Sequence, residues 1–173
     1  GENDNDGRME KEEGAMCSAC HIAEWTEAAD NVVVPAWSPD GTVPPVFTDF
    51  SFDNLGLPQN TDFALPPMAP VDQGLAPIYG DPEENGKFKV IPLRTIGLSA
   101  TYAHNGKNET LKEITHFYNK RDGPVALMGG MDWPAPEYPA TVNGDELGNL
   151  GLSDSDEDKL VEFMKTRSDG YRP

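Results

Sequence analysis

The chain has 173 residues, which is enough for one domain with a hydrophobic core. Lys and Arg number 13 against 30 Asp and Glu, and the formal charge of −17 argues against binding nucleic acid or an anionic membrane surface. No apolar run approaches the roughly 20 residues that a membrane-spanning helix needs. The 17 Gly and 16 Pro residues predict long loops and short regular elements.

The chain is expected to form a single domain over residues 15–167. Residues 1–14 are polar and acidic and predict a flexible tail, and residues 168–173 predict a second one. The sequence opens without the basic start and apolar stretch of a signal peptide, so it has the character of a mature or trimmed form. A helix is predicted from Ala15 to Ala29.

That first helix carries both cysteines of the sequence. Residues 17–21 read Cys-Ser-Ala-Cys-His, the C-x-x-C-H attachment signature of a c-type haem. Thioethers from Cys17 and Cys20 would hold the porphyrin edge, and His21 would be the proximal iron ligand. A thioredoxin-like redox pair would need a surrounding βαβ pattern, and the sequence around the motif does not have one. A zinc site would need a second Cys pair or closely spaced histidines, and His104 and His116 are too far apart in sequence.

We therefore predict one covalently bound haem c. Covalent haem attachment takes place outside the cytoplasmic membrane of bacteria, so we also predict an exported, periplasmic protein.

Long loops are predicted on either side of an apolar stretch. One loop runs from residue 31 to 46 and a second from 58 to 82, and residues 47–57 between them are expected to pack in a core. The second loop is longer than an ordinary connection, which predicts that it packs on something large and flat such as a haem face. Residues 87–93 alternate in polarity and predict an extended segment.

A helix is predicted from Thr110 to Asn119, because Thr110 and Glu113 have the spacing of a capping box. A rotation of about 100° per residue places four residues on one stripe of this helix. They are Leu111, Ile114, Thr115 and Tyr118. His116 falls on the opposite side and is expected at the surface.

The last predicted helix runs from Asp154 to Thr166 and is capped by Ser153. Its acidic first turn suits the helix dipole. Its apolar face consists of Leu160, Phe163 and Met164.

The residues alone leave the second iron ligand open. Methionine is a common partner of His in electron-carrying haem proteins. The candidates are Tyr118, His104, His116, Met9, Met16, Met68, Met128, Met131 and Met164. The remaining alternative is that no residue of the protein binds on that side.

Residues 87–106 carry a family resemblance. They read Lys-Phe-Lys-Val-Ile-Pro-Leu-Arg-Thr-Ile-Gly-Leu-Ser-Ala-Thr-Tyr-Ala-His-Asn-Gly. This resembles the segment F-K-V-P-x-L-R-N-x-x-L-T-A-P-Y-x-H-D-G of the bacterial dihaem cytochrome c peroxidase and MauG family. Residues 47–58, 110–119 and 152–164 are similar to three further segments of that family, in the same order.

The resemblance implies the family's C-terminal haem domain. It implies a mainly α, c-type cytochrome fold whose long Pro/Gly-rich loops wrap around one haem. Tyr118 stands where MauG-like members place a Tyr ligand, so the resemblance and the helix stripe select His21 and Tyr118 as the iron ligands. It places Arg94 near the haem propionates and His104 near the interface with another haem domain. The family's calcium loop departs from the pattern at Ser99 and Thr101, which weakens the expectation of calcium.

The functional expectation is electron transfer by a six-coordinate haem, as the relay half of a dihaem system or as a stand-alone carrier. The family's peroxide-reacting haem belongs to an N-terminal domain with its own C-x-x-C-H motif, and this sequence has one such motif. The alternative is a peroxidase or oxidase, for which His104 is the candidate acid–base residue. A structural haem module is a third reading. The expected partner is a redox protein, a class that includes a second haem-bearing chain or domain, and the acidic surface suits a basic partner.

Overall fold

The computed structural model describes residues 15–22, 46–61, 71–123 and 133–168. Within these ranges, the helices are α1 (Ala76–Tyr79), α2 (Leu111–Lys120) and α3 (Asp154–Lys165). Strands β1 (Phe52–Asp53) and β2 (Phe88–Lys89) pair antiparallel. Short 3-10 turns occur at Met16–Ala19, Pro82–Glu84, Ile96–Leu98 and Pro139–Thr141. Most described residues lie outside these elements, so the prediction of long loops and short elements is confirmed.

Both long helices begin at the predicted caps. The Thr110 hydroxyl accepts a hydrogen bond from Glu113 N at 3.1 Å, and the Glu113 carboxylate accepts one from Thr110 N at 3.0 Å. This is the capping box that the sequence predicts. The Ser153 hydroxyl caps α3 by accepting a hydrogen bond from Asp156 N at 3.2 Å. These side chains satisfy amides that have no partner within the helix.

The prediction of one continuous helix from Ala15 to Ala29 is wrong in its described part. A 3-10 turn covers only Met16–Ala19, and Cys20 follows as its cap. The Cys20 carbonyl accepts a hydrogen bond from Asp49 N at 2.9 Å, so it is paired with a distant loop rather than with the next helical turn. Residues 23–29 lie outside the described residues.

The second predicted loop contains one short helix. Helix α1 lies within the predicted loop 58–82, and the predicted extended segment 87–93 contributes only β2 to the sheet. In the apolar stretch 47–57, Phe47 and Leu57 are buried, whereas Phe50 and Phe52 are exposed. The stretch therefore supplies only part of its apolar residues to the interior.

A small core packs α2 against α3 and the turn at Ile96–Leu98. It is formed by Ile96, Tyr102, Leu111 and Val161. The Tyr102 hydroxyl donates to the Ile96 carbonyl at 3.0 Å, so this buried phenol is satisfied. This core holds one face of α2 in a fixed position.

We expect Thr95→Asn to stabilise the protein. Thr95 has a φ of 60°, a left-handed conformation that is unfavourable for a β-branched residue and tolerated by Asn. Its backbone is held there because Thr95 N donates to the Arg167 carbonyl at 2.9 Å. The free energy of unfolding, measured by urea denaturation, should rise by about 0.5–1 kcal/mol. Thr95→Ala is the control, since Ala keeps the strain, and equal stabilisation by Ala would contradict this explanation.

Candidate haem-binding cavity

The motif side chains Cys17, Cys20 and His21 all line one cavity of about 280 Å³. Much of the remaining wall is aliphatic. Leu55, Leu57, Leu93, Ile96, Leu147, Leu150 and Leu160 belong to this part of it. An apolar cavity with a few polar groups is typical of a cofactor site.

The cysteine motif forms a turn that brings its ligands together. His21 N donates to the Cys17 carbonyl at 2.8 Å. The His21 ring lies 2.8 Å, through Nδ1, from the carbonyl oxygen of Phe47. Because a carbonyl can only accept, Nδ1 carries the hydrogen and Nε2 keeps its lone pair for a metal. Burial lowers the pKa of His21, which favours the neutral, ligating form.

The two thiols do not have the character of a redox-active pair. Both cysteines are free of disulfides. Burial raises the pKa of Cys17, and burial together with Glu146, Asp49 and Asp53 raises the pKa of Cys20 to about 12. Catalytic thiols need a lowered pKa. The environment therefore disfavours the thioredoxin-like alternative.

The stripe predicted on α2 faces the same cavity. Leu111, Ile114, Thr115 and Tyr118 all line it. Burial is the main cause that raises the pKa of Tyr118, so its phenol is neutral in the chain alone. A nearby metal cation is the kind of group that would favour the phenolate. The cavity thus brings His21 and Tyr118 to the same site, as the sequence predicted.

The other candidate ligands differ in whether they reach the cavity. His104, Met16 and Met164 also line the cavity. Met9, Met68, Met128 and Met131 lie outside the described residues. His116 does not line the cavity, in agreement with its position opposite the stripe.

The expectation that His116 is a surface residue is wrong. Its Nδ1 donates to Glu157 Oε1 at 2.9 Å, and its side chain is 18% exposed. Glu157 is the centre of a buried network between α2 and α3, with a side chain that is 1% exposed. Asn119 Nδ2 donates to it at 2.6 Å, and Lys112 Nζ lies 3.0 Å away. Burial opposes ionisation of Glu157, but these donors hold its pKa below the usual value.

His104 forms a second polar contact at the cavity wall. Its Nε2 lies 3.1 Å from the Glu137 carboxylate, and its ring stacks on Phe88 with a centroid distance of 3.6 Å. The predicted turn after it is present, since Gly106 has a φ of 66° and donates to the Ala103 carbonyl at 3.2 Å. His104 is therefore a wall residue with a fixed ring orientation.

A pair of carboxylates lies near Cys20. Asn143 Nδ2 donates to Asp53 at 2.7 Å and to Glu146 at 2.8 Å. Glu146 Oε2 is 3.7 Å from the Cys20 sulfur. Among the described residues, this is the group of acidic, Cys or His side chains close enough to share a metal ion. The weakened expectation of calcium at the loop of Ser99 and Thr101 concerns a different part of the chain and stays a prediction.

Arg94 is not part of the cavity wall, although its neighbour Leu93 is. The Arg94 guanidinium lies 5.6 Å from the centre of the Phe47 ring. Phe47 is the residue whose carbonyl orients His21. The expected role of Arg94 toward propionates therefore remains a prediction about the rim of the site.

The residues of the cavity fit a haem. They supply two thiols, an imidazole with a free Nε2 and a phenol, which is a suitable donor set. The predicted face of α3, Leu160, Phe163 and Met164, also lines the cavity. Phe163 is 51% exposed and Ile91 on the same wall is 55% exposed. A large flat apolar group would bury these side chains favourably.

Comparisons with known proteins assign the family. The chain is 35% identical over 139 residues to the methylamine utilization protein MauG of Paracoccus denitrificans, covering 73% of this chain and 36% of MauG. It is 28% identical over 145 residues to a cytochrome-c peroxidase of Denitromonas iodatirespirans, covering 72% of this chain and 35% of the relative. The chain belongs to the MauG and cytochrome-c peroxidase family. No family model matches it.

Solved structures agree with this assignment. A MauG-like protein associated with microbial copper homeostasis matches 69% of this chain and 33% of that structure, with a TM-score of 0.50 and 29% identity. A variant of the diheme peroxidase BthA from Burkholderia thailandensis matches 89% of this chain and 38% of that structure, with a TM-score of 0.65. Its sequence identity is 24%, so this match concerns the fold alone.

The MauG and peroxidase relatives support a haem cofactor for this member of the family. The chain spans little more than a third of the length of the relatives that it matches. Their whole-protein activities are therefore not transferred directly. Among the described residues, no helix is long and apolar enough to cross a membrane.

Proposed function

We propose that this chain transfers electrons through one covalently bound haem c, as the six-coordinate relay half of a MauG-like dihaem system. The observation that supports this most strongly is the shared cavity of the C-x-x-C-H motif and Tyr118. The haem would supply the one-electron couple. The relay role would need two protein ligands to the iron, and His21 and Tyr118 of this cavity would supply them.

The chain's own residues have distinct tasks in this proposal. Cys17 and Cys20 anchor the cofactor, while the Phe47 carbonyl fixes the ring of His21 for ligation through Nε2. Tyr118 is the second ligand. Its phenolate would favour ferric iron over ferrous iron and lower the potential relative to a Met ligand. Arg94 serves the propionates from the rim.

The partner is proposed to be a redox protein, which includes a second haem-bearing chain or domain. The charge of −17 favours a basic docking surface on such a partner, with an association that weakens as salt is raised. Covalent haem attachment implies export to the periplasm.

A peroxidase or oxidase that uses hydrogen peroxide is the second candidate. The observation that favours it is the His104–Glu137 contact at the cavity wall, at 3.1 Å. A carboxylate that orients an imidazole is a common arrangement for acid–base work. Such an activity also needs a vacant or displaceable iron position, which ligation by Tyr118 would oppose.

The haem-loaded chain should be tested for both activities in parallel. We expect reversible reduction and reoxidation of one haem per chain. The wild-type chain should consume peroxide no faster than the His104→Gln variant does. The His104 variant is the matched comparison because it removes the acid–base candidate and keeps the cysteine motif. Steady-state peroxide turnover that His104→Gln abolishes would contradict the relay proposal and support the enzyme.

A further inference from the structure

Arg167 occupies an unusual environment at the end of α3. Its guanidinium lies 4.2 Å from the centre of the Phe163 ring and 5.5 Å from that of Phe47. Phe163 belongs to the cavity wall. Arg167 is therefore separated from the cavity by a single aromatic ring, and it is only half-exposed.

Within the part of the chain that the structure describes, this cation has no acidic partner, although the chain is strongly acidic. Carboxylates outnumber Lys and Arg by 30 to 13. Cations with a carboxylate within 4.0 Å include Lys87, Lys112, Arg121, Lys159 and Lys165. Among the described residues, no such partner is found for Arg167, whose Nη2 and Nε instead donate to the Thr166 hydroxyl at 2.8 and 3.1 Å. A partly desolvated guanidinium is well suited to an external carboxylate.

Arg167 and Arg94 share an aromatic neighbour, Phe47. Both guanidinium groups lie over the same Phe47 ring, at 5.5 and 5.6 Å. A hydrogen bond from Thr95 N to the Arg167 carbonyl, at 2.9 Å, joins the two backbone segments. Both cations therefore lie near Phe47, and each is close to a wall residue: Arg94 follows Leu93 in the chain, and Arg167 lies over Phe163.

The charges around the cavity are unequally distributed. Asp53 and Glu146 lie with Cys20, where the thioether edge of a haem would be. A c-type haem carries its two propionates on the edge away from its thioethers. Carboxylates beside Cys20 would repel the propionates, and guanidinium groups close to the wall residues Leu93 and Phe163 would attract them.

We propose that Arg167 is a second propionate-binding residue, which acts with Arg94 beside the wall formed by Leu93 and Phe163. This inference rests on the proposed haem and adds a residue that carries no motif of its own. A guanidinium facing a propionate stabilises ferrous haem, because reduction adds a negative charge near a fixed positive one.

The test is resonance Raman spectroscopy and redox potentiometry of the haem-loaded full chain and of Arg167→Gln. We expect the variant to shift the propionate-bending modes and to lower the potential, favouring ferric haem by a factor on the order of ten. Arg167→Lys should keep most of the potential because it keeps the charge, while still altering the bending modes. This second variant covers the case in which Arg167→Gln fails to hold haem.

Lys165→Gln is the matched control. Lys165 is the last residue of α3, two positions before Arg167, but it pairs with Glu162 at 2.6 Å. Lys165→Gln should therefore leave both readings unchanged. Unaltered bending modes and potential in the Arg167 variants, with haem attached, would overturn the inference alone. A wild-type chain that takes up no haem would contradict the proposed function itself and this inference with it.

Discussion

Replacing both Cys17 and Cys20 with Ala is expected to leave the chain without covalently bound haem. Cys17 and Cys20 line the cavity together with His21, and no disulfide bond joins them, so each sulfur is available to form a thioether with haem. His21 alone would provide only a dissociable bond to iron. Intact-mass measurement and haem staining after denaturing electrophoresis should show haem on the wild-type chain and none on the double variant.

The single variants and a neighbouring substitution sharpen this test. Cys17→Ala and Cys20→Ala should each keep at most one thioether, and Ser18→Ala should keep both because its side chain is not needed for attachment. Covalent haem on the double variant would show that the motif is not the attachment site. Loss of haem from Ser18→Ala would show that the double variant reports folding rather than attachment.

Replacing Glu157 with Gln is expected to produce the largest loss of stability among single substitutions outside the motif. Its carboxylate is buried and holds Asn119, Lys112 and His116 across the α2–α3 contact. Removing one member of a buried charged network leaves the others without a partner and costs about 3 kcal/mol. The free energy of unfolding of the haem-loaded chain, measured by urea denaturation, should fall by this amount.

The same network predicts a pH dependence. The folded-state pKa of Glu157 is lowered, so its contribution to stability is present above the unfolded pKa, near 4.5. It is lost as the pH falls below that value through the folded pKa. Wild-type stability should therefore decline more steeply than that of Glu157→Gln on acidification below about pH 4.5.

Glu162→Gln is the control for both measurements. Glu162 is on the same helix, but its side chain is exposed, and Lys165 is the partner that the described residues give it. Exposed pairs contribute about 0–1 kcal/mol, so this variant should stay close to the wild type. Equal losses for Glu162→Gln and Glu157→Gln would contradict the account of a buried network.

Local sequence signals predicted α2, α3 and the face of each that lines the cavity. Thr110 and Glu113 act within one helical turn, and the stripe that ends at Tyr118 follows from helix geometry alone. The cysteine motif was likewise recognised from its short spacing alone, and its role in haem attachment stays a prediction. These features could be predicted because the residues that determine them are close in sequence.

Features that depend on distant contacts were not predictable in this way. Glu157 has the sequence character of an acidic first-turn residue, yet its partners lie 38 to 45 positions away on α2. No local pattern identifies His116 as one of those partners. The first helix ends early because Cys20 pairs with Asp49, and the carbonyl that orients His21 belongs to Phe47. Each contact joins segments that a linear pattern treats separately.

The central claim is that His21 and Tyr118 are the two iron ligands, and electron paramagnetic resonance tests it most directly. The ferric wild-type chain should be measured beside Tyr118→Phe, which keeps the ring and removes only the hydroxyl. We predict a low-spin signal in the wild type that the substitution abolishes or converts to high-spin. A high-spin wild type, or a low-spin signal that Tyr118→Phe leaves unchanged, would contradict ligation by Tyr118.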